Sequence, residues 1–231
     1  MRTIGLIGGM SWYSSAEYYK VVNAEVQSRL GGHHSARIVM VSLDFDEVRA
    51  LQLAEDWAGA GRLLADAGRR LEEAGADVVL IATNLMHKVA DDVEAAVSVP
   101  LLHIGDAVGR AASAAGHRTV GLVGTRWVMD ETFYSDRLGR HGVDVVVPPG
   151  TDREMIDRVI FDELTQGVVS DVSRRRYVRV IEELAARGAE AVVLACTEIE
   201  LLVRPADSPL PLIDSMRTHA LRAVEVALEG T

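Results

Sequence analysis

Cys196 is the only cysteine in the chain, and it closes an apolar run that is followed by Thr197 and Glu198. A thiol with an ordinary pKa of about 8.5 serves as a base near neutral pH once that value is slightly lowered, and as a nucleophile once it is ionised. The expected strand-to-helix junction at Cys196 would aim backbone N–H groups at the sulfur and stabilise a thiolate. A lone cysteine is more often a buried small hydrophobe. Two features favour chemistry over that reading. The junction is polar, and a polar residue also fills the matching position elsewhere in the chain.

That matching position is Thr83. Residues 75–84 read against residues 188–197, so Thr83 stands where Cys196 stands and Asn84 where Thr197 stands. A hydroxyl is a far weaker acid or base than a thiol, so a symmetrical two-thiol mechanism is unavailable. As a bland alternative, Thr83 caps the helix expected over about 85–96. Asn84 could donate hydrogen bonds to a carboxylate or satisfy loop backbone. His87, on the same helix, could line a cleft or cap a buried carbonyl.

Three further groups carry possible binding chemistry. Gly8-Gly9-Met10-Ser11 lacks both the Lys-Ser/Thr ending of a P-loop and the G-x-G-x-x-G dinucleotide spacing, so its glycines suit close approach of backbone to a small ligand. Gly124-Thr125 is the corresponding turn in the second half. Arg49 and Gln52 lie three residues apart on one helical side. An arginine can hold a carboxylate through two parallel hydrogen bonds, although Asp46 and Glu47 nearby make an ordinary surface ion pair the competing reading. With one cysteine and no H-x-x-x-H spacing, no metal site is expected.

The elements that must position these residues repeat. Residues 2–9 read against 118–125 with five of eight positions identical, and 101–106 echo 210–214, each ending in an acid, Asp106 or Asp214. Short apolar strands are expected at 3–7, 37–43, 78–82, 101–104, 119–123, 143–147 and 191–195, with the near-continuous Val/Ile/Leu of a parallel sheet buried on both faces. Helical spacing at 58–74 and 172–187 ends at Gly75 and Gly188. The expected class is α/β. Two pseudo-twofold-related lobes each carry a mainly parallel sheet flanked by helices, and the active site lies in the inter-lobe cleft beyond the strands' carboxyl ends. The lobes are expected at 1–116 and 117–215, with a final helix over about 216–228 that could return onto the first.

A formal net charge of −10 argues against nucleic-acid or anionic-membrane partners. No apolar run approaches the roughly 20 residues of a membrane span. The N-terminus lacks a signal-peptide layout, and a single cysteine forms no internal disulfide, so a cytoplasmic setting is expected.

Taken together, Gly8-Gly9-Met10-Ser11-Trp12, Thr83-Asn84-Leu85-Met86-His87 and Cys196-Thr197-Glu198 resemble the cofactor-independent aspartate/glutamate racemases, over essentially the whole chain. The resemblance implies a homodimer, an amino-acid substrate and no cofactor. It also implies a proton taken from Cα by one residue and returned by another on the opposite face. On this pattern Cys196 and Thr83 are the catalytic residues, with Cys196 deprotonating the L-enantiomer. Met10, Arg49, Gln52, Asn84, Leu85, Thr125, Thr197 and Glu198 contact the substrate, Arg49 at its distal carboxylate.

The chain departs from the usual family pattern in three places. Thr83 replaces a cysteine, Leu85 a threonine, and Thr165 a lysine found in some aspartate racemases. A subset similar to a bacterial L-aspartate/glutamate-specific racemase shares the threonine. Related one-cysteine enzymes decarboxylate malonates and others isomerise maleate, so that chemistry is an alternative. A non-catalytic amino-acid-binding relative is another.

Overall fold

Runs without a polar face, such as 78–81 and 191–195, can satisfy their backbone only inside a sheet covered on both sides. Both become fully buried central strands in the computed structural model, which describes residues 1–229. The chain divides into two compact α/β units. One is Met1–Ile104 with the chain from His219 onward, and the other is Gly105–Thr218. The expected boundary near 116 lies one helix later than this division.

The first unit runs β1 (Ile4–Gly8), α1 (Trp12–Leu30), β2 (Ile38–Ser42), α2 (Phe45–Leu53), α3 (Trp57–Glu73) and β3 (Val78–Ile81). A 3₁₀ turn (Leu85–Val89), α4 (Ala90–Ala96) and β4 (Leu101–Leu102) complete it. The second begins on α5 (Ile104–Ala114) and runs β5 (Thr119–Gly124), α6 (Arg126–Asp130), α7 (Thr132–Gly139), β6 (Asp144–Val146) and α8 (Gly150–Asp162). It continues with α9 (Asp171–Ala186), β7 (Ala191–Ala195), α10 (Ile199–Leu202) and β8 (Leu212–Asp214). The last helix, α11 (Ser215–Leu228), starts in the second unit and continues into the first.

Each unit carries a four-stranded parallel sheet, in the orders β2-β1-β3-β4 and β6-β5-β7-β8. The duplication is visible in the registers. Ile4 pairs with Val78 as Val120 pairs with Ala191, and both sequence echoes are kept. The third echo shifts. Leu101 pairs with Val79 and Leu212 with Val192, so the residue that matches Asp214 is His103, not Asp106.

Local chemistry is duplicated too. Helices α3 and α9 each end in a left-handed glycine, where Gly75 N–H bonds Glu72 O and Ala76 N–H bonds Leu71 O. Gly188 and Ala189 do the same on Ala185 and Leu184. This closure satisfies the last helical carbonyls and turns the chain directly into β3 or β7. An acid just before each of those strands, Asp77 or Glu190, then binds the backbone N–H at the start of β1 or β5, each at 2.6 Å.

Helix α5 belongs with the second unit because Asp106 on it bonds Arg137 Nε at 2.9 Å and His141 Nε2 at 2.8 Å, at the end of α7. Helix α11 belongs to the first from His219 on. His219 is fully buried, accepts from Tyr18 Oη–H through Nδ1 at 2.8 Å and donates from Nε2 to Leu102 O at 2.8 Å. No helix among the described residues is long and apolar enough to cross a membrane.

Candidate functional site

In the first unit the ladder closes with Ala82 N–H on Ile7 O at 2.9 Å, and Thr83 is the first residue beyond it. Thr83 is half-buried, and Asn84 and Leu85 are buried behind it. The helix expected over 85–96 is broken. A tight turn at Leu85–Val89 precedes α4, and its N-cap position falls at Asn84 rather than Thr83, with no capping bond from the Asn84 side chain. His87 explains the tightness, because its Nδ1 lies 2.8 Å from the Thr83 carbonyl four residues back. Of its two expected roles, the structure shows the carbonyl cap.

Arg49 and Gln52 come together on α2. Arg49 Nη1 donates to Gln52 Oε1 at 3.3 Å, and buried Gln52 donates from Nε2 to Met86 Sδ at 3.2 Å. This fixes the amide of Gln52 and ties α2 to the turn after Thr83. Gly9 has a φ of +89°, and a side chain there would collide with the backbone of Leu43. The close approach expected of this glycine is therefore made to its own chain. Gly9 N–H is held by Ser15 Oγ at 2.8 Å, and Met10 beside it is buried.

In the second unit Gly124 pairs with Ala195, so Thr125 and Cys196 leave neighbouring strands at the same level. Cys196 is buried, 8% exposed. Its Sγ donates to Glu198 Oε2 at 3.1 Å, and the Thr197 hydroxyl donates to the same oxygen at 2.6 Å. Burial first, then the negative charge of Glu198, pushes the thiol well above its ordinary value. The expected lowering by a helix N-terminus is overturned. Helix α10 starts only at Ile199 and spans four residues, too few for a substantial dipole, while a carboxylate sits against the sulfur. The backbone N–H of Glu198 does bond the sulfur, but its effect is smaller than those two.

Thr125 precedes α6 but does not cap it. Asp157 on α8 caps it instead, accepting from Arg126 N–H at 2.7 Å. The Thr125 hydroxyl is left buried with no hydrogen-bond partner. A buried orphan hydroxyl is costly, and it becomes useful where a ligand supplies the missing partner. Asp157 is a residue the sequence reading missed. It lies 31 residues from Arg126, and no local motif marks it. Thr165, in the turn (Leu164–Gln166) that follows α8, donates its hydroxyl back to Phe161 O at 2.8 Å. No cluster of three or more His, Cys, Asp or Glu side chains among the described residues could hold a metal ion.

The structure therefore assembles two groups, each within its own unit. Thr83, Asn84 and Leu85 follow the end of β3, Arg49 and Gln52 are tied to the next residue, Met86, and Met10 is buried after the end of β1. Cys196, Thr197, Glu198 and Thr125 stand at the ends of β7 and β5. The second group has a proton donor in contact with a proton acceptor, the elements of acid–base chemistry.

Comparison with known proteins places these groups in context. Residues 7–223 match the family model described as Asp/Glu/Hydantoin racemase. A crystal structure from Yersinia pestis, of a protein assigned to the Asp/Glu racemases, is 46% identical, covers 99% of this chain and 100% of its own, and superposes with a TM-score of 0.94. An aspartate racemase homologue from Pyrococcus horikoshii OT3 is 33% identical with a TM-score of 0.84, over 98% of this chain and 99% of its own. The broad specificity amino-acid racemase RacX of Bacillus subtilis (strain 168) is 20% identical over 174 residues, 72% of each chain.

Proposed function

The chain belongs to the Asp/Glu/hydantoin racemase family, and on that premise we propose that it is a cofactor-independent racemase of L-aspartate, L-glutamate or a related small amino acid. The observation that carries the proposal is the 3.1 Å contact from Cys196 Sγ to Glu198 Oε2. At rest the buried sulfur keeps its proton. Glu198 accepts that proton, and the thiolate so formed takes Hα from the amino acid. A base of raised pKa is a stronger base, which suits removal of a weakly acidic α-proton. A proton returns to Cα from the Thr83 side, through its hydroxyl or a water that the hydroxyl orders.

Negative charge builds on the α-carboxylate as Hα leaves, and it needs donors aimed in advance. The Thr125 hydroxyl, Thr197, Asn84 and the N–H groups of the two strand-end turns are suited to that task. Arg49, steadied by Gln52, would take the distal carboxylate of aspartate or glutamate. Met10 and Leu85 would supply apolar contact. The proposal includes a homodimer, which light scattering checks.

Loss of the Hα NMR signal from L-aspartate and L-glutamate in D₂O tests the reaction. Wild-type protein is expected to exchange Hα, and Cys196→Ala is not. Full exchange in the variant would sink the mechanism. Leu85 favours a second reading. Its buried hydrocarbon stands where the second unit has Glu198, so the first unit lacks a matching proton relay at that position. One-sided protonation would suit decarboxylation or isomerisation of a small diacid, and chiral product from a prochiral diacid would identify it.

A further inference from the structure

His87 is 3% exposed, and both of its ring nitrogens are engaged. Nε2 receives the backbone N–H of Ile104 at 3.1 Å, and Nδ1 lies 2.8 Å from the Thr83 carbonyl. An N–H can point only at a lone pair, so Nε2 is bare and the ring proton sits on Nδ1, donated to Thr83. The ring thus ties the end of β3 to the first residue of α5. A second layer backs it. The rings of His103 and His219 lie 4.5 and 5.6 Å from that of His87. His219 holds Leu102 O two residues before Ile104.

The second copy closes its turn differently. The carbonyl of Cys196, equivalent to that of Thr83, accepts the backbone N–H of Ile199 at 3.1 Å. There the backbone closes the turn, whereas at Thr83 an imidazole is brought in.

Building on the racemase reading, we propose that His87 is a positioning residue: by holding the Thr83 carbonyl it fixes the Thr83–Asn84 peptide so that the Asn84 N–H faces a carboxylate bound at the strand end. The argument is geometric. The peptide is planar and trans, so its C=O and N–H point in opposite directions. With the carbonyl turned to the buried imidazole, the N–H turns to the other side. A peptide flip would instead present a carbonyl oxygen to an anionic substrate and remove a donor from the developing enolate.

Two substitutions separate this role from simple packing. His87→Asn keeps an amide N–H near the place of Nδ1, and His87→Gln keeps an acceptor near the place of Nε2. The asparagine variant is expected to hold kcat for Hα exchange within about three-fold. The glutamine variant is expected to lose at least about ten-fold in kcat, the scale of losing an orienting partner or an oxyanion donor. Equal losses in both, tracking a common fall in melting temperature, would overturn the proposal. A readout independent of activity is ¹⁵N-histidine NMR of the wild-type protein. It should show the Nδ1–H tautomer for His87, and an Nε2–H tautomer would overturn the assignment. If wild-type protein exchanges no amino acid, the racemase reading fails by itself. The tautomer, and a shift of the Asn84 amide resonance in His87→Gln but not in His87→Asn, then still decide whether His87 sets that peptide.

Discussion

The end of β3 and the end of β7 are the same piece of backbone built twice, with different chemistry at three successive levels. The position proposed to react is Thr83 in one and Cys196 in the other. Two residues on, the first copy has Leu85 and the second Glu198. The strand-end carbonyl is held by an imidazole in the first and by a backbone N–H in the second. The thiol thus has a carboxylate as neighbour and the hydroxyl has hydrocarbon. A duplicated fold keeps the placement of a residue while freeing its chemistry. Here one copy sets a thiol against a carboxylate, and the other holds its strand-end carbonyl on an imidazole.

The largest effect should come from levelling the two ends downwards. Cys196→Ala removes the proposed base, and Hα exchange should fall by about 10²–10⁴-fold, the usual worth of a general base. An unchanged rate would mean that the sulfur is only core.

Removing the carboxylate comes next. Glu198→Gln should lower kcat by roughly ten- to a hundred-fold, within or below the range for lost proton transfer. It should also bring the thiol's titration down, because a negative charge beside it is gone. The pH dependence of iodoacetamide alkylation reads that shift directly, and a thiol that titrates higher in the variant would contradict the assigned contact. In wild-type protein, alkylation should rise only on the alkaline side of the ordinary thiol value, because burial and Glu198 both raise it.

Levelling upwards has a smaller effect. Thr83→Cys makes the two strand-end positions alike and, at saturating substrate, should raise kcat for D-to-L several-fold relative to kcat for L-to-D. Polarimetry or chiral chromatography from each enantiomer checks this, and an unchanged ratio would remove Thr83 from the reaction.

A further difference lies in acid stability, and in the first unit His219 contributes to it. Burial lowers His219 to about 4, against 6.5 for a free imidazole. Between these values the unfolded chain binds a proton that the folded chain refuses. Stability therefore falls as pH drops from 6.5 to 4, by about 3 kcal/mol in total. Urea midpoints at pH 7 and pH 4.5 should differ more in wild-type protein than in His219→Gln.

Much of this pattern is legible in the sequence, because repeated short-range signals specify it. Gly75 and Gly188 mark helix ends that carry the same closure. The central strands appear as unbroken apolar runs, and the alignment of Thr83 with Cys196 survives as a matched register. Features that depend on where a side chain turns are not legible in this way. Nothing in Cys-Thr-Glu tells whether Glu198 swings toward the sulfur, so the direction of the thiol's shift is inverted from expectation. Strand β8 is three half-buried residues, too short to stand out by composition, and its true match to 101–102 emerges only from pairing. The capping of α6 by Asp157 spans two helices and leaves no sequence pattern.

Helix α11 passes from one unit to the other in mid-course, with His219 clasped between Tyr18 and Leu102. The segment from His219 onward thus completes a body whose other residues lie more than a hundred positions earlier in the sequence. A ribosome must reach His219 and the residues after it before that body can close. A chain stopped near residue 218 would therefore injure the unit that holds Met1–Ile104, and a separately supplied peptide carrying 215–229 is the natural remedy.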